Sequence, residues 1–367
     1  MRRTQIYDRY IRNIPTNIII PVYCVIFAGV SQMKKYLFIL YLLGMTLLLP
    51  SCSCAGGGDE AGADAASAFT NPIIKNLSAD VPWCSFVDGM YYFIEQQGKN
   101  VLLRASADVT ELDDADHMVI WTLPQSLGES TSGAVIYRLD GAWYVYLGVT
   151  RDINHRDIYV IENREANPFK GSFRLKSRLD TGNADCIAIH PNILEMHGCR
   201  YILWSGWDEP RKFEERQNLY IARLSDPWTV EGHRVKISEP EFEWERQCVG
   251  RDGSNVAYPI YVNESPCAIE SPDHSRLLLF YSASFNTTPY RCIGMLSMDT
   301  SSDPMDPSSW VKCPEPVFRM SEQNSIYSVG CPCFVPSPDG KELFLWEMRR
   351  CMKYGWKIQR LVGMILI

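Results

Sequence analysis

Glu264 is the residue whose type and setting first suggest chemistry in this sequence. It lies in Val262-Asn263-Glu264-Ser265-Pro266, and the apolar, aromatic segment 277–284 follows shortly after it. Such a segment predicts a buried strand. We therefore expect Glu264 at the end of the preceding strand, at the rim of a β-structure, where an acid can face a ligand. The alternative is an ordinary exposed glutamate at a strand end.

The strand after Glu264 belongs to a unit that occurs five times. Each copy has an apolar strand, a tight turn, and a second strand rich in Tyr, Trp and Phe. The turns are Asp88-Gly89, Asp140-Gly141, His197-Gly198, Asp273-His274 and Asp339-Gly340. An Asp-Gly pair between such strands is a strong hairpin signal, because Gly tolerates the positive φ that the turn needs. Since no helical periodicity follows residue 69, we predict an all-β fold, a five-bladed β-propeller. The alternative is a two-sheet sandwich.

The innermost strands of a propeller converge, so residues just before each hairpin face one another although they are distant in sequence. The polar residues at these positions are Asp80, His190, Glu264 and Cys331. They are the candidate functional set. Two of them have a structural alternative: Asp80 could cap a turn, and His190 could be a packed histidine at a strand end.

Six short motifs occur in a common order over roughly residues 71 to 347. They are Ala79-Asp80-Val81-Pro82-Trp83, the segment 154–163, Trp204-Ser205-Gly206-Trp207, the segment 217–228, the pair 263–266 and 281–284, and Asp306-Pro307-Ser308-Ser309-Trp310. In this order they resemble glycoside hydrolase family 43, the five-bladed propeller glycosidases, and especially its α-L-arabinofuranosidase-like members.

The resemblance implies an inverting hydrolysis with a general base, a general acid and a third carboxylate that tunes the acid. The base corresponds to Asp80 and the acid to Glu264, with Ser265 where a Gly is usual. Inverting hydrolysis needs the two carboxyl groups about 6.5–9.5 Å apart, with room for a sugar and a water. The resemblance thus implies a hydrolase of arabinose- or xylose-containing glycans.

Three positions depart from the family pattern. His190 stands where the tuning Asp is expected, Ala134 near a usual Glu, and Cys331 near a usual His. A third carboxylate raises the pKa of the acid by like-charge repulsion, whereas a protonated His190 would lower it. The alternative function is therefore a degenerate propeller lipoprotein that binds glycan. The change at Cys331 also argues against a calcium ion, which occurs in some relatives, so we expect no cofactor.

Aromatic residues are plentiful, with 10 Trp and 19 Tyr. Such side chains suit β-structure and also stack against sugar rings, because one face of the ring is apolar. We predict Trp83 and Trp207, together with Cys331, as substrate-binding residues. The alternative for both tryptophans is packing in the core of a blade.

Residues 33–52 have the pattern of an export signal. Met33-Lys34-Lys35 precedes an apolar segment of signal-peptide length, and Leu49-Pro50-Ser51-Cys52 resembles a bacterial lipobox. We predict lipidation at Cys52, which would anchor the chain in the bacterial cell envelope, with Met33 as the true start. Residues 53–68, rich in Gly, Ala and Asp, are predicted as a flexible tether, and residues 69–367 as the propeller domain.

The charge balance limits the choice of partner. With 36 basic and 43 acidic residues, the net charge of −7 does not favour nucleic-acid binding, which needs a basic face. We expect a carbohydrate substrate, a lipid anchor in the membrane and a monomer. The thirteen cysteines show no repeated CxxC spacing of a zinc site. Most are predicted to be buried free thiols.

Overall fold

The computed structural model describes residues 81–350 and 359–366, except residue 153 and the segments 183–186, 209–214 and 256–259. The chain divides into two units, Met1–Ala66 and Ser67–Ile367, and all described residues belong to the second. The predictions for the leader, Cys52, the tether and Asp80 concern residues outside these ranges. No helix in the described ranges is long and apolar enough to cross a membrane.

The described chain consists almost entirely of β-strands joined by turns. The strands are β1 (Trp83–Val87), β2 (Met90–Gln97), β3 (Asn100–Ser106), β4 (His117–Thr122), β5 (Ser130–Leu139), β6 (Ala142–Thr150), β7 (Arg156–Asn163), β8 (Arg174–Arg178), β9 (Ala188–Met196), β10 (Cys199–Gly206), β11 (Glu215–Asp226), β12 (Thr229–Ser238), β13 (Ile260–Glu270), β14 (Arg276–Ala283), β15 (Cys292–Asp299), β16 (Val311–Lys312), β17 (Tyr327–Pro336), β18 (Leu343–Arg350) and β19 (Gln359–Leu366). Short 3₁₀ turns lie at Val109–Glu111, Glu243–Glu245 and Pro307–Ser309.

Consecutive strands pair antiparallel to form five blades. Blades 1 to 4 are β1–β4, β5–β8, β9–β12 and β13–β16, and blade 5 contains β17–β19 in the described ranges. A short parallel pairing of β11 with β13 joins blades 3 and 4 into one eight-stranded sheet. Each blade therefore follows the chain directly, as antiparallel strands with short connections do.

The innermost strands form a closed ring. β1 contacts β5, β5 contacts β9, β9 contacts β13, β13 contacts β17, and β17 returns to β1. At the closure, the Cys84 amide donates to Cys333 Sγ at 3.4 Å and the Tyr91 hydroxyl donates to the Pro336 carbonyl at 3.0 Å. This ring confirms the predicted propeller and excludes the two-sheet sandwich.

The five predicted hairpins are all present between the first and second strands of the blades. In blades 1 to 3 both turn residues have positive φ, as a two-residue type I′ turn requires. These pairs are Asp88-Gly89, Asp140-Gly141 and His197-Gly198. The predicted buried strand after Glu264 is β14, where the apolar residues alternate between buried and half-buried positions.

The core lies within and between the blades. Three fully buried tryptophans, Trp143, Trp204 and Trp346, come from the second strands of blades 2, 3 and 5. This explains why the second half of each hairpin unit is aromatic. All eight cysteines in the described ranges are free thiols, and five of them are buried, as predicted for most of the thiols.

Candidate active site

Four innermost strands each contain a β-bulge. The pairing register shifts at the bulge in β5, β9, β13 and β17. A residue with positive φ lies in each bulge: Gly133, His190, Ser265 and Cys331. The last three precede a proline, and proline is tolerated inside a sheet mainly at bulges. Since a bulge re-aims side chains, these strands bring their bulge residues together.

Serine hydroxyls fix two of these bulges to the preceding blade. The Ser265 amide donates to Ser205 Oγ at 2.9 Å, and the Cys331 amide donates to Ser282 Oγ at 2.6 Å. Both serines lie on the second strand of the blade before. Their hydroxyls therefore satisfy backbone groups that the bulge removes from the ladder, and they hold neighbouring bulges at one level.

Blade 2 contributes backbone to the site, with no acidic side chain. A Cβ at Gly133 would lie 2.6 Å from Cδ2 of His190, so the imidazole occupies the space that a side chain would need. The next residue, Ala134, is fully buried. The second blade therefore leaves room for His190 where the family pattern has a glutamate.

Glu264 is buried within β13. The sequence predicted a carboxylate at a strand end, but β13 continues through the bulge to Glu270. The residue is 8% exposed, which excludes the alternative of an ordinary surface glutamate. Its Oε1 accepts from Arg291 Nη2 at 2.6 Å and its Oε2 accepts from Gln217 Nε2 at 3.2 Å.

His190 and Arg291 complete the surroundings of this carboxylate. His190 Nδ1 lies 3.7 Å from Glu264 Oε2 and 3.0 Å from Ser265 Oγ. Arg291 is 1% exposed and its Nη2 also lies 3.3 Å from Cys331 Sγ. The guanidinium packs on Gly330, where a Cβ would approach Arg291 Cζ to 2.4 Å.

These contacts close a ring, which we call the axial ring. It runs from Glu264 to Arg291, Cys331, Ser265 and His190 and returns to Glu264. The link between Ser265 Oγ and Cys331 Sγ is 3.4 Å long. The five residues come from three blades, and only the bulges bring them within contact distance.

The electrostatics of the axial ring favour an ionised Glu264. Burial alone raises the pKa of this carboxyl, but Arg291, together with His190 when it is protonated and with the hydrogen bond from Gln217, outweighs burial and holds the pKa below its usual value. Burial lowers the pKa of His190, against the attraction of Glu264, and Arg291 and Arg156 lower it further. In the resting site the histidine is therefore neutral and the glutamate negative.

The structure brings His190, Glu264 and Cys331 together, as their positions before the hairpins predict. Asp80 lies outside the described residues, so its distance from Glu264 and its role as the base stay predictions. The catalytic roles of Glu264 and His190 and the substrate-binding role of Cys331 are also predictions.

Both candidate tryptophans are buried, Trp83 as the first residue of β1 and Trp207 directly after β10. Trp83 is 8% exposed, and its ring lies against Tyr137 with centroids 5.4 Å apart. Trp207 is 7% exposed and packs with Ile187 and Ile189. These positions correspond to the packing alternative, and sugar contact by either ring stays a prediction.

Sequence reasoning assigned no role to Arg291 or Gln217, which hold both oxygens of Glu264. Arg291 precedes the buried strand β15, and a lone arginine before an apolar strand is a weak signal. The repeated proline after His190, Ser265 and Cys331 was a stronger signal, since proline within an otherwise regular strand marks a bulge.

The described residues do not fit a calcium site. Calcium prefers six to eight oxygen ligands, whereas the axial ring offers one carboxylate, which Arg291 already neutralises, together with a thiol and an imidazole. In the part of the chain that the structure describes, no group of three or more His, Cys, Asp or Glu residues could hold a metal ion.

Comparisons with known proteins agree with this fold. The extracellular exo-alpha-(1->5)-L-arabinofuranosidase of Streptomyces chartreusis is 30% identical over 306 residues, which are 80% of this chain and 88% of that protein. Alpha-L-arabinofuranosidase 43 of Humicola insolens is 32% identical over 280 residues. The match covers 74% of this chain but only 54% of that relative.

Solved structures show the same fold. An alpha-L-arabinofuranosidase from Lactobacillus brevis superposes with a TM-score of 0.69 at 24% identity, covering 80% of this chain and 91% of that one. An exo-1,5-alpha-L-arabinanase from a bovine ruminal metagenomic library superposes with a TM-score of 0.58 at 16% identity, covering 80% and 94%. The model of the glycosyl hydrolases family 43 matches residues 69–364. The chain therefore belongs to glycosyl hydrolases family 43.

Proposed function

We propose that this chain hydrolyses α-L-arabinofuranosidic bonds in arabinose-containing glycans. The observation that carries the proposal is the buried Glu264, which three blades enclose in the axial ring at the end where the innermost strands bulge together. Relatives with at least 30% identity are named as arabinofuranosidases, which favours arabinose over xylose. The experiments below therefore compare release of arabinose with release of xylose.

In this mechanism Glu264 is the general acid and Asp80 the general base. Glu264 gives its proton to the glycosidic oxygen while the bond from that oxygen to the anomeric carbon breaks. A water attacks the same carbon from the opposite face and gives its proton to Asp80. The products are arabinose with inverted configuration and a free alcohol. Asp80 then releases its proton to solvent, and solvent returns a proton to Glu264.

The low pKa of Glu264 sets the pH range of this reaction. The acid is active only while protonated, so kcat falls as pH rises through its pKa. Because Arg291 holds this pKa below the usual value, the basic limb of the pH profile lies at lower pH than for an acid with a raised pKa. We therefore expect activity to be highest on the acidic side of this limb.

The test compares Glu264→Gln with Glu270→Gln in the full-length protein. Glu270 is at the hairpin end of the same strand, so it controls for loss of one negative charge. On α-1,5-linked arabino-oligosaccharides, E264Q should lose about 10²–10⁴-fold in kcat, and E270Q should stay near wild type. The loss should be smaller on 4-nitrophenyl α-L-arabinofuranoside, whose leaving group needs less protonation. Oligosaccharide turnover by E264Q at the wild-type rate would disprove its role as the acid.

A second candidate function is glycan binding without turnover. The ionised Glu264 favours it, because a carboxylate without its proton cannot protonate a leaving group. In this case the wild type would bind arabinan in calorimetry and release no sugar between pH 4 and 8. Release of xylose from an aryl xyloside at a higher rate than arabinose would instead change the assigned sugar.

We also place the protein outside the cytoplasm, as a monomer anchored in the cell envelope. Two Streptomyces relatives are named as extracellular, and residues 33–52 have the export pattern. Replacement of Cys52 by Ala should move the protein from the membrane fraction to the soluble fraction and abolish labelling by a fatty-acid analogue. Unchanged fractionation would exclude a lipid anchor at Cys52. Light scattering of the Cys52→Ala variant in detergent-free solution would test whether the protein is a monomer.

A further inference from the structure

The axial ring contains three residues that depart from the family pattern and contact one another in series. Ser265 Oγ lies 3.0 Å from His190 Nδ1 and 3.4 Å from Cys331 Sγ. We propose that Ser265 and Cys331 are positioning residues that keep His190 Nδ1 unprotonated, so that a proton taken up for catalysis stays on Glu264 and does not pass to the imidazole. This inference rests on the proposed function, because it assigns these residues a role in the same hydrolysis.

Arg291 sets one direction in this series. A guanidinium can only donate, so Arg291 Nη2 donates to Cys331 Sγ at 3.3 Å and to Glu264 Oε1 at 2.6 Å. The Ser265 hydroxyl can donate to or accept from each of its two neighbours. In the proposed arrangement the Cys331 thiol donates to Ser265 Oγ and the Ser265 hydroxyl donates to His190 Nδ1, which leaves the imidazole proton on Nε2.

This arrangement protects the proton of Glu264. A free imidazole is a stronger base than a carboxylate, with pKa values of about 6.5 and 4.3. An unoccupied Nδ1 beside Glu264 Oε2 would take the proton and leave an ion pair that cannot act as an acid. The separation of these atoms is 3.7 Å, and Ser265 occupies the Nδ1 lone pair at the shorter distance.

Two of the other charged groups near His190 act in the same direction. Arg291 and Arg156 disfavour a positive imidazole, whereas Glu264 favours it. From β5 the imidazole meets Gly133, which carries no titratable group, and from β17 it meets Cys331 only through Ser265. Ser265 and Cys331 are thus the hydrogen-bonding groups that decide which nitrogen is protonated.

Ser265 adopts a conformation that favours glycine. Its φ is +54°, and a non-glycine residue there is strained by about 1 kcal/mol or more. The family pattern has Gly at this position, so we attribute the presence of a strained serine to the role of its hydroxyl. Ser265→Gly removes the hydroxyl and relieves the backbone strain, whereas Ser265→Ala removes the hydroxyl and keeps the strain. If both variants change activity alike, the cause is the hydroxyl.

The first experiment observes His190 directly by ¹⁵N NMR of histidine-labelled full-length protein, with His190→Gln to identify its signals. In the wild type we expect an unprotonated Nδ1 and a protonated Nε2 from pH 5 to 8. In S265A and S265G we expect Nδ1 to gain a proton at pH 5 to 6. The control is Ser328→Ala, since Ser328 is also buried with positive φ but bonds to the Asn286 carbonyl. A protonated Nδ1 in the wild type would overturn the proposal.

The second experiment measures kcat on arabino-oligosaccharides against pH. In S265A and S265G the basic limb of the kcat profile should lie about one pH unit lower than in the wild type. At pH values above the limb, kcat of these variants should therefore be about tenfold lower. KM should be unchanged, and the control S328A should not move the limb. In the H190Q background, S265A should have no further effect. A limb that S265A leaves in place would refute the proposal. If the wild type hydrolyses nothing, the proposed function fails, whereas the NMR result still tests the protonation of His190.

Discussion

Replacement of Arg291 by Met should convert Glu264 from a paired carboxylate into a buried, unpaired one. The guanidinium is 1% exposed and donates to Glu264 Oε1 at 2.6 Å. Removal of one partner from a buried ion pair costs about 3–5 kcal/mol, because the other charge stays uncompensated. We expect a loss of this size at pH 8, together with a smaller, pH-independent loss from the vacated volume above Gly330.

The pH dependence of the loss identifies its cause. In the wild type the pKa of Glu264 is below its usual value, so its pair contributes stability above the unfolded pKa of about 4.3. That contribution is lost as pH falls through the folded pKa. Without Arg291, burial dominates and the pKa of Glu264 rises above the unfolded value. The variant then loses stability as pH rises, so the gap to wild type should widen from pH 4 to 8.

The assay is urea denaturation of the full chain at pH 4, 5, 6, 7 and 8. Besides wild type and R291M, it needs E264Q, the double variant and Arg223→Met. Arg223 forms an exposed ion pair with Glu231, so its removal should cost at most about 1 kcal/mol. E264Q should relieve most of the R291M defect at pH 8. A defect that is equal at all five pH values, or that E264Q does not relieve, would refute the assignment of Arg291 to the charge on Glu264.

Three further predictions test the surroundings of the axial ring. Gly330→Ala should displace the fully buried Arg291, since a Cβ would lie 2.4 Å from Cζ, and should lower both the urea midpoint and kcat. Ser282→Ala should leave the Cys331 amide without its partner and cost about 1–3 kcal/mol, measured by the same denaturation. Iodoacetamide at pH 8 should modify partly exposed thiols before buried ones, since burial raises the pKa of the buried thiols, and peptide mapping would show the order. The partly exposed thiols are Cys199, Cys248 and Cys313, and the buried ones are Cys84, Cys267 and Cys333.

The fold was predictable because its signals are local. Asp88-Gly89 and Asp140-Gly141 each fix a hairpin from two adjacent residues, with positive φ at both. Five such hairpins at separate places leave few architectures in which every apolar strand is covered. The ring closure through Cys84 and Cys333 could not be read from the sequence, but it follows once five blades must share one centre.

The detailed geometry of the site was less predictable, because it depends on contacts between blades. Glu264 was expected at a strand end, whereas the bulge at Ser265 keeps it inside β13 and buried. Its partner Arg291 follows 27 residues later, before the next strand but one, and no local pattern relates the two. The charge state of Glu264 depends on this partner, so sequence reasoning singled out Glu264 as the candidate acid and missed what sets its pKa.

The departures from the family pattern change meaning when they are considered together. Taken singly, His190, Ser265 and Cys331 each replace a residue of the expected site, which suggests loss of function. In the structure they contact one another, and Arg291 Nη2 joins Cys331 to Glu264. Random loss would leave such substitutions scattered and their polar atoms unpaired, at a cost for each buried group. A connected series of contacts that ends on Glu264 instead agrees with the proposal that this site sets the protonation of its candidate acid in a different way.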